Sequence, residues 1–335
     1  MSSPRTTIDL DATPVDRSPE AIERALEGHR RELTAYCYRM LGSGFEAEDA
    51  VQETMVRAWR GIDAFEGRSA LRSWLYRIAT NVCLDMGKAP QRRARPMDLG
   101  PSSPADGLLD GGLPESSWIQ PVADARVLPT DGDPADIAAG RESIRLAFVA
   151  ALQHLPARQR AVLILREVLR WQAIEVAELL DTSVASVNSA LQRARATMAD
   201  LDLDEPSEAI DDEQRELLAR YVSAFERYDI DSIVALLHED VVQSMPPFAL
   251  WLQGRDEVAA WYVGQGIGCA GARLLPTFAN GCPAFGSYRV SASGSGHDAF
   301  AIQVLQISGG RITGLHNFLY PELFPAFGLP LHLDA

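Results

Sequence analysis

Gln172-Ala173-Ile174-Glu175-Val176-Ala177-Glu178-Leu179-Leu180, then Asp181-Thr182-Ser183, then the run from Val184 to Met198, is the stretch on which the fold turns. At helical period it predicts a short helix over Gln172–Leu180, a three-residue turn and a second helix over Val184–Met198. On the second helix Val184, Val187, Leu191, Ala194 and Met198 fall on one side. Ser186, Ser189 and Arg193 fall on the other, flanked by Asn188, Gln192 and Arg195. An ordinary antiparallel helix pair would show the same apolar seam. The small turn, the absence of any acid from Thr182 to Ala199, and the hydroxyl, amide and guanidinium surface favour a DNA-binding helix-turn-helix instead. Those are the groups that read base edges in a major groove.

Outward from this unit, helical periodicity extends back to about Ile137, in four pieces broken near Leu155-Pro156, Arg170 and Asp181-Thr182-Ser183. Residues 97–136 are rich in Pro, Gly, Ser and Asp and read as a linker, with one apolar island, Trp118-Ile119-Gln120-Pro121. Before the linker, three helices are expected over Pro19–Leu41, Phe45–Arg60 and Ser69–Gly87, the last with Ser69 as its N-cap. After the helix-turn-helix comes an acidic break, Asp200–Asp212, and then helices over Glu213–Tyr228 and Ile230–His238. Short alternating runs follow, such as Phe300-Ala301-Ile302-Gln303-Val304, with Gly309-Gly310 as a hairpin signal.

The 335 residues carry a formal charge of -15, which at first argues against a nucleic-acid partner. The distribution argues otherwise. Residues 27–96 hold 12 Arg or Lys against 9 Asp or Glu, and residues 141–198 hold 8 against 5. Residues 97–140 hold 1 against 8, and residues 199–335 hold 7 against 19. Two mildly basic blocks lie within an acidic chain, and a duplex responds to local charge. Cys37, Cys83, Cys269 and Cys282 are scattered, so neither a disulfide framework nor a zinc site is expected. With no apolar run long enough to cross a bilayer and no secretory leader, a cytoplasmic location is expected.

Two further surfaces carry polar pattern. On the helix beginning at Phe45, Glu48, Asp49, Gln52 and Glu53 share one side, and Ala47, Val51, Met55 and Ala58 line the other. On the helix beginning near Ser69, Leu71, Trp74, Leu75, Ile78 and Val82 gather on one side. Arg72, Ser73, Tyr76, Arg77 and Thr80 occupy the opposite side, with Asn81 at its margin. The preceding loop bears Phe65 and Arg68. Arginines beside aromatics suit phosphate contact and base stacking on a single strand.

Glu48-Asp49-Ala50-Val51-Gln52-Glu53-Thr54, with Ala58-Trp59, resembles the polymerase-binding helix of the extracytoplasmic-function RNA polymerase sigma factors. Phe65-Glu66-Gly67-Arg68-Ser69 and Leu71 to Asn81 resemble their −10 loop and the helix after it. Leu155-Pro156-Ala157-Arg158-Gln159-Arg160, Val176 to Leu180 and Arg193-Ala194-Arg195 resemble their −35-binding domain. The pattern departs at Asp181 and Ala185, where glycine is usual, and at Asn188, where lysine is common. The resemblance implies a sigma factor that binds core RNA polymerase and promoter DNA. Glu48, Asp49, Gln52 and Glu53 would meet polymerase. Phe65, Arg68, Arg72, Trp74, Arg77 and Asn81 would form, capture or support the melted −10 strand, Trp74 chiefly as a core anchor. Ser186, Asn188, Ser189, Gln192, Arg193 and Arg195 would face the −35 element.

Residues 213–335 resemble the SnoaL-like, ketosteroid-isomerase-type cone. Ala279-Asn280-Gly281-Cys282-Pro283-Ala284 and Phe327-Gly328-Leu329-Pro330 look like the version appended to one branch of these sigma factors, where it modulates polymerase binding. The expected architecture is therefore multidomain. A helical region 2 domain spans 20–96, an acidic linker 97–136, a helical region 4 domain 137–200 and an α+β cone 212–335. Trp251, Trp261, Tyr262, His297, Asp298 and His316 are the polar or aromatic candidates for a pocket in the cone, where the fold leaves room for a small-molecule ligand. They supply no acid-base pair at recognisable spacing, so catalysis is not expected, nor is a cofactor or metal. The rival reading is a helix-turn-helix regulator fused to a ligand-binding or isomerase- or cyclase-type domain.

Overall fold

The computed structural model describes residues 18–65, 70–87, 93–107, 109, 111–131, 133–199 and 211–334. Arg68, Ser69 and most of the acidic break after Ala199 lie outside the described residues. The first expected helix is two, α1 (Pro19–Glu27) and α2 (Arg30–Leu41), parted at Gly28-His29. Gly42 ends α2 at φ 74, a conformation that suits glycine, and a Cβ there would come within 2.8 Å of Ile119 Cδ1. Helices α3 (Gly44–Gly61) and α4 (Leu71–Met86) complete the first unit.

The expected linker is an ordered strap. Ala94 pairs with Trp118 in a parallel bridge, and a four-residue helix, α5 (Asp124–Val127), follows. Helical structure resumes earlier than periodicity suggests, at α6 (Pro134–Glu142), because Asp133 caps the Ala135 amide and Pro134 takes the first helical position. Then come α7 (Leu146–Leu152), α8 (Ala157–Leu163) running into a π turn at Ile164–Val168, α9 (Ala173–Leu179) and α10 (Val184–Ala199). A break at Ser143–Arg145 thus makes five helices where four were expected.

The C-terminal unit consists of α11 (Asp212–Glu226), α12 (Ile230–Leu236), β1 (Leu237–Ser244), β2 (Trp251–Gln253), α13 (Arg255–Val263), β3 (Arg273–Ala279), β4 (Cys282–Val290), β5 (His297–Ser308), β6 (Arg311–Phe318) and β7 (His332–Leu333). The sheet order is β2-β1-β6-β5-β4-β3 with β7 beside β5, antiparallel except for β1 against β6. Gly309 and Gly310 make the β5–β6 turn at φ 54 and 69.

Strand alternation sends the two sheet faces to different cores. Leu305, Ile307, Phe285 and Leu315 pack under Tyr221, Phe225, Trp261 and Tyr262 of the cone helices. Ile302, Val304, Ala284 and Tyr288 join Trp118, Ile119 and the buried side chains of α2 to α10 in one continuous core. Such side chains each stabilise by about 1.5–3 kcal/mol when enclosed, so this second face is structural adhesive between the C-terminal unit and the helical units. No described helix is long and apolar enough to cross a membrane.

Candidate functional site

Helix α3 starts at Ser43, whose Oγ accepts from the Glu46 amide, and buries Ala47, Ala50, Val51, Thr54, Met55 and Ala58. That burial turns Asp49, Gln52 and Glu53 outward together, as the spacing predicts. Glu53 pairs with Arg57 at 2.7 Å. Glu48 lies on the same side but is half-buried, because the strap's Arg126 forms an ion pair with it. A groove of about 900 Å³ runs between this acidic side, Arg30 and Arg31 of α2, and the strap at Arg126–Pro129.

On α4 the polar side is narrower than helical geometry alone suggests. Tyr76 and Thr80, expected outside, are buried. Thr80 Oγ1 shares a 2.8 Å hydrogen bond with Tyr36 Oη, and Tyr76 Oη donates to Glu32 Oε2 at 3.2 Å. Trp171, from the turn before α9, closes over Tyr76 with ring centroids 5.1 Å apart. Arg72 is gripped in the same cluster. Its Nε donates to Glu32 at 2.8 Å, and its guanidinium lies 5.1 Å from the Tyr76 ring centre and 5.5 Å from that of Trp171. Arg77 Nη2 donates to the Glu178 carbonyl of α9 at 2.9 Å. Asn81 is exposed, and Trp74 packs on Phe65 at 5.0 Å between centroids. Two of the expected −10 arginines are thus engaged by the helix-turn-helix unit.

Helix α10 buries Val187, Leu191 and Ala194 and leaves Ser186, Asn188, Ser189, Gln192, Arg193 and Arg195 exposed. Ser183 Oγ accepts from the Ser186 amide at 3.1 Å and fixes the start of the helix. Asp181 sits at φ 49, which explains the usual glycine there; aspartate is among the side chains that tolerate this region. Arg195 Nη2 donates to Glu167 Oε1 at 2.6 Å, while both remain largely exposed.

What joins these surfaces is the strap and the β3–β4 turn. The island Trp118-Ile119-Gln120-Pro121 is buried, with Gln120 receiving bonds from Tyr38 Oη at its carbonyl and from Ser43 Oγ at its side chain. Asn280, fully enclosed, donates through Nδ2 to Tyr38 Oη and to the Ile144 carbonyl, both at 2.6 Å. Its Oδ1 accepts from the Val122 amide at 3.0 Å. One side chain therefore touches α2, the strap and the loop before α7. Next to it the Gly281 amide donates to Asp124 Oδ1 at 2.9 Å. Burial pushes the Asp124 carboxyl up to about 6, against the opposing pull of that amide and of Arg141.

Of the six side chains expected near a pocket in the cone, Trp261 and Tyr262 line its interior. Trp251 donates to the Gly100 carbonyl of the strap, and Asp298 bonds His332 at the outer end of β5. His297 meets the Gly271 carbonyl at 3.0 Å. His316 shares a bond with Ser244 at 2.9 Å and sits opposite Val304, hence on the face turned to the helical units. The interior holds Gln303, which accepts from Tyr221 Oη at 3.2 Å, and Gln243, whose Oε1 is buried without a hydrogen-bond partner. Burial pushes the Tyr221 and Tyr262 phenols further above their ordinary range, so both stay protonated.

The sequence reading missed Arg126, Trp171 and the three-way contact of Asn280. Arg126 did carry a signal, as the one cation in residues 97–140.

Residues 25–93 match the family described as Sigma-70 region 2, residues 145–198 that described as Sigma-70, region 4, and residues 218–315 the SnoaL-like domain. The chain is 44% identical over 323 residues to the ECF RNA polymerase sigma factor SigG of Mycobacterium tuberculosis, covering 95% of this chain and 86% of that one. It is 27% identical over 321 residues to SigJ of the same organism, covering 91% and 93%. The crystal structure of SigJ superposes with a TM-score of 0.57 over 92% of this chain and 99% of that one, at 24% identity, which establishes a shared fold.

Proposed function

The chain belongs to the extracytoplasmic-function RNA polymerase sigma factors, and from that premise we propose that the arrangement described is its closed form, from which it opens to direct core polymerase to promoters. Glu48, Asp49, Gln52 and Glu53 meet the polymerase. Phe65, Arg68, Arg72, Arg77 and Asn81 act at the −10 strand, with Trp74 anchoring their helix. Ser186, Asn188, Ser189, Gln192, Arg193 and Arg195 face the −35 element. The observation that carries this reading is the unequal exposure of the three surfaces. The α10 face is open, whereas Arg72 and Arg77 are held by Trp171 and Glu178, and Glu48 by Arg126. A chain ready for polymerase needs all three free, so the α9 unit and the strap must move away. The SnoaL-like domain modulates this step by gripping the strap through Asn280.

The same domain acts by contact rather than by chemistry. What supports this is the grip of Asn280 on the strap, Tyr38 and the Ile144 carbonyl, which couples the domain to the helical units without a substrate. Run-off transcription with purified core polymerase tests the whole reading. Promoter-dependent transcripts are expected. DNA binding with no association to core would instead favour a regulator that works without polymerase.

A further inference from the structure

Helix α5 is only four residues long, yet each of its ends reaches a different unit. Asp124 receives the Gly281 amide of the β3–β4 turn, and Val127 is buried. Between them Arg126 extends along the strap surface. Its Nη1 forms the ion pair with Glu48, and its Nε donates at 2.9 Å to the carbonyl of Ala326, in the turn Pro321–Phe327 that closes the C-terminal domain. A tight seam of Phe45, Pro121, Val122, Leu323 and Phe327 lies beside this bridge. Arg126 therefore ties α3 to the C-terminal domain through one guanidinium, which can serve two acceptors because its donors form a planar fork.

The chemistry of the occupied position is specific. Glu48 stands on the acidic side of α3 and at the rim of the groove that runs past Asp49 and Gln52. A carboxylate on such a surface selects a basic side chain, and Arg126 already fills that role from within the chain. We infer that Arg126 is an intramolecular stand-in for a basic side chain of the polymerase, and that α5 must leave Glu48 before polymerase can dock on α3. This rests on the assignment of the acidic face to polymerase and adds to it the group that blocks the face. The tether keeps the stand-in at high effective concentration, so a weak, half-exposed pair suffices to compete. Through this link the C-terminal domain gains a hold on the groove at Asp49 and Gln52, whose lining comes from α1 to α3 and the strap. Losing the grip on Ala326 or Gly281 loosens α5, and loosening α5 releases Glu48.

The test uses the full chain with Arg126→Gln and Arg126→Lys, read by binding to purified core polymerase and by hydrogen exchange at 122–128 and 279–282. Arg126→Gln is expected to bind core about three- to ten-fold more tightly, the range of a partly exposed ion pair with one added hydrogen bond. Exchange in both segments should quicken, and Arg126→Lys, which keeps the charge but loses the fork that serves both acceptors, should fall between the parent and Arg126→Gln. Unchanged or weaker core binding by a folded Arg126→Gln chain, when the parent binds core, overturns the latch and leaves the polymerase assignment standing. If neither chain binds core while exchange still quickens, Arg126 secures the strap but guards no polymerase face, and both the latch and the assignment fall.

Discussion

Asn280 Nδ2 donates to Tyr38 Oη at 2.6 Å across 242 positions of sequence, in a site closed to solvent. Tyr38 in turn donates to the Gln120 carbonyl at 2.7 Å, so the C-terminal domain, α2 and the strap share one hydrogen-bonded chain. Burial pushes the Tyr38 phenol well above its ordinary range, which keeps its proton available for that donation. Asn280→Gly is the informative substitution because glycine keeps the backbone at φ 56 without strain. It leaves the Val122 amide and the Ile144 carbonyl without their side-chain partner, at about 1–3 kcal/mol for each. The closed form should weaken by about 3 kcal/mol while the interior of the cone, a separate cluster, stays intact. Small-angle scattering should show an expanded chain, and run-off output should rise.

Asp124 gives the closed form a pH dependence. Its carboxyl titrates at about 6 when closed and regains its ordinary value near 3.9 when the strap is released. The closed form thus binds the proton more tightly. Closing is favoured as pH falls from about 6 towards 4, and is penalised once the proton is lost above 6. The full span corresponds to about 3 kcal/mol. Core binding measured between pH 7.5 and 5.5 should weaken on acidification. Asp124→Asn, which can still accept from the Gly281 amide, should remove that dependence and stay more closed at pH 7.5. An unaltered pH profile in this variant would rule Asp124 out.

The acidic side of α3 should be decisive for polymerase. Glu48, Asp49 and Glu53 changed together to Gln are expected to reduce core binding by at least a hundredfold, since close charge pairs at an interface each couple by about 1.5 kcal/mol or more. Thermal stability should change little, because the pairs lost, Glu53 with Arg57 and Glu48 with Arg126, are about half-exposed and such pairs contribute little. Pull-down of core by the folded variant at parental levels would remove this face from the polymerase interface.

What the sequence disclosed, and what it withheld, follows from the range of each interaction. The outward set on α10 and the acidic side of α3 were legible because helical period alone decides them. Tyr76 and Thr80 were misplaced because period gives a direction and not a neighbour; α2 and Trp171 cover that direction. The expected long first helix failed at Gly28-His29, a weak local signal that only packing makes decisive. Asn280-Gly281 was legible as part of a family motif, and its turn conformation is the ordinary one for that pair. Its docking on Tyr38 was not legible, and neither was the pairing of Arg126 with Glu48, 78 positions away.

Arg193 and Arg195 lie two positions apart on α10, so their side chains diverge by more than half a turn. Arg193 projects from the middle of the exposed side with Ser186 and Ser189. Arg195 reaches back towards the π turn, where Glu167 accepts from it. A base contact requires a side chain aimed into the groove; a phosphate contact requires only one beside it. Arg193→Ala should therefore cost about 1–3 kcal/mol on the preferred −35 sequence and less on variants, flattening discrimination. Arg195→Ala should weaken all sequences alike and lower the salt dependence of binding by about one counterion. It should also free Glu167, adding a small repulsion from the duplex. Titrations of holoenzyme on a panel of −35 variants at two salt concentrations separate the two patterns. Uniform loss for Arg193→Ala would reassign it to the backbone, and sequence-dependent loss for Arg195→Ala would place its side chain in the groove.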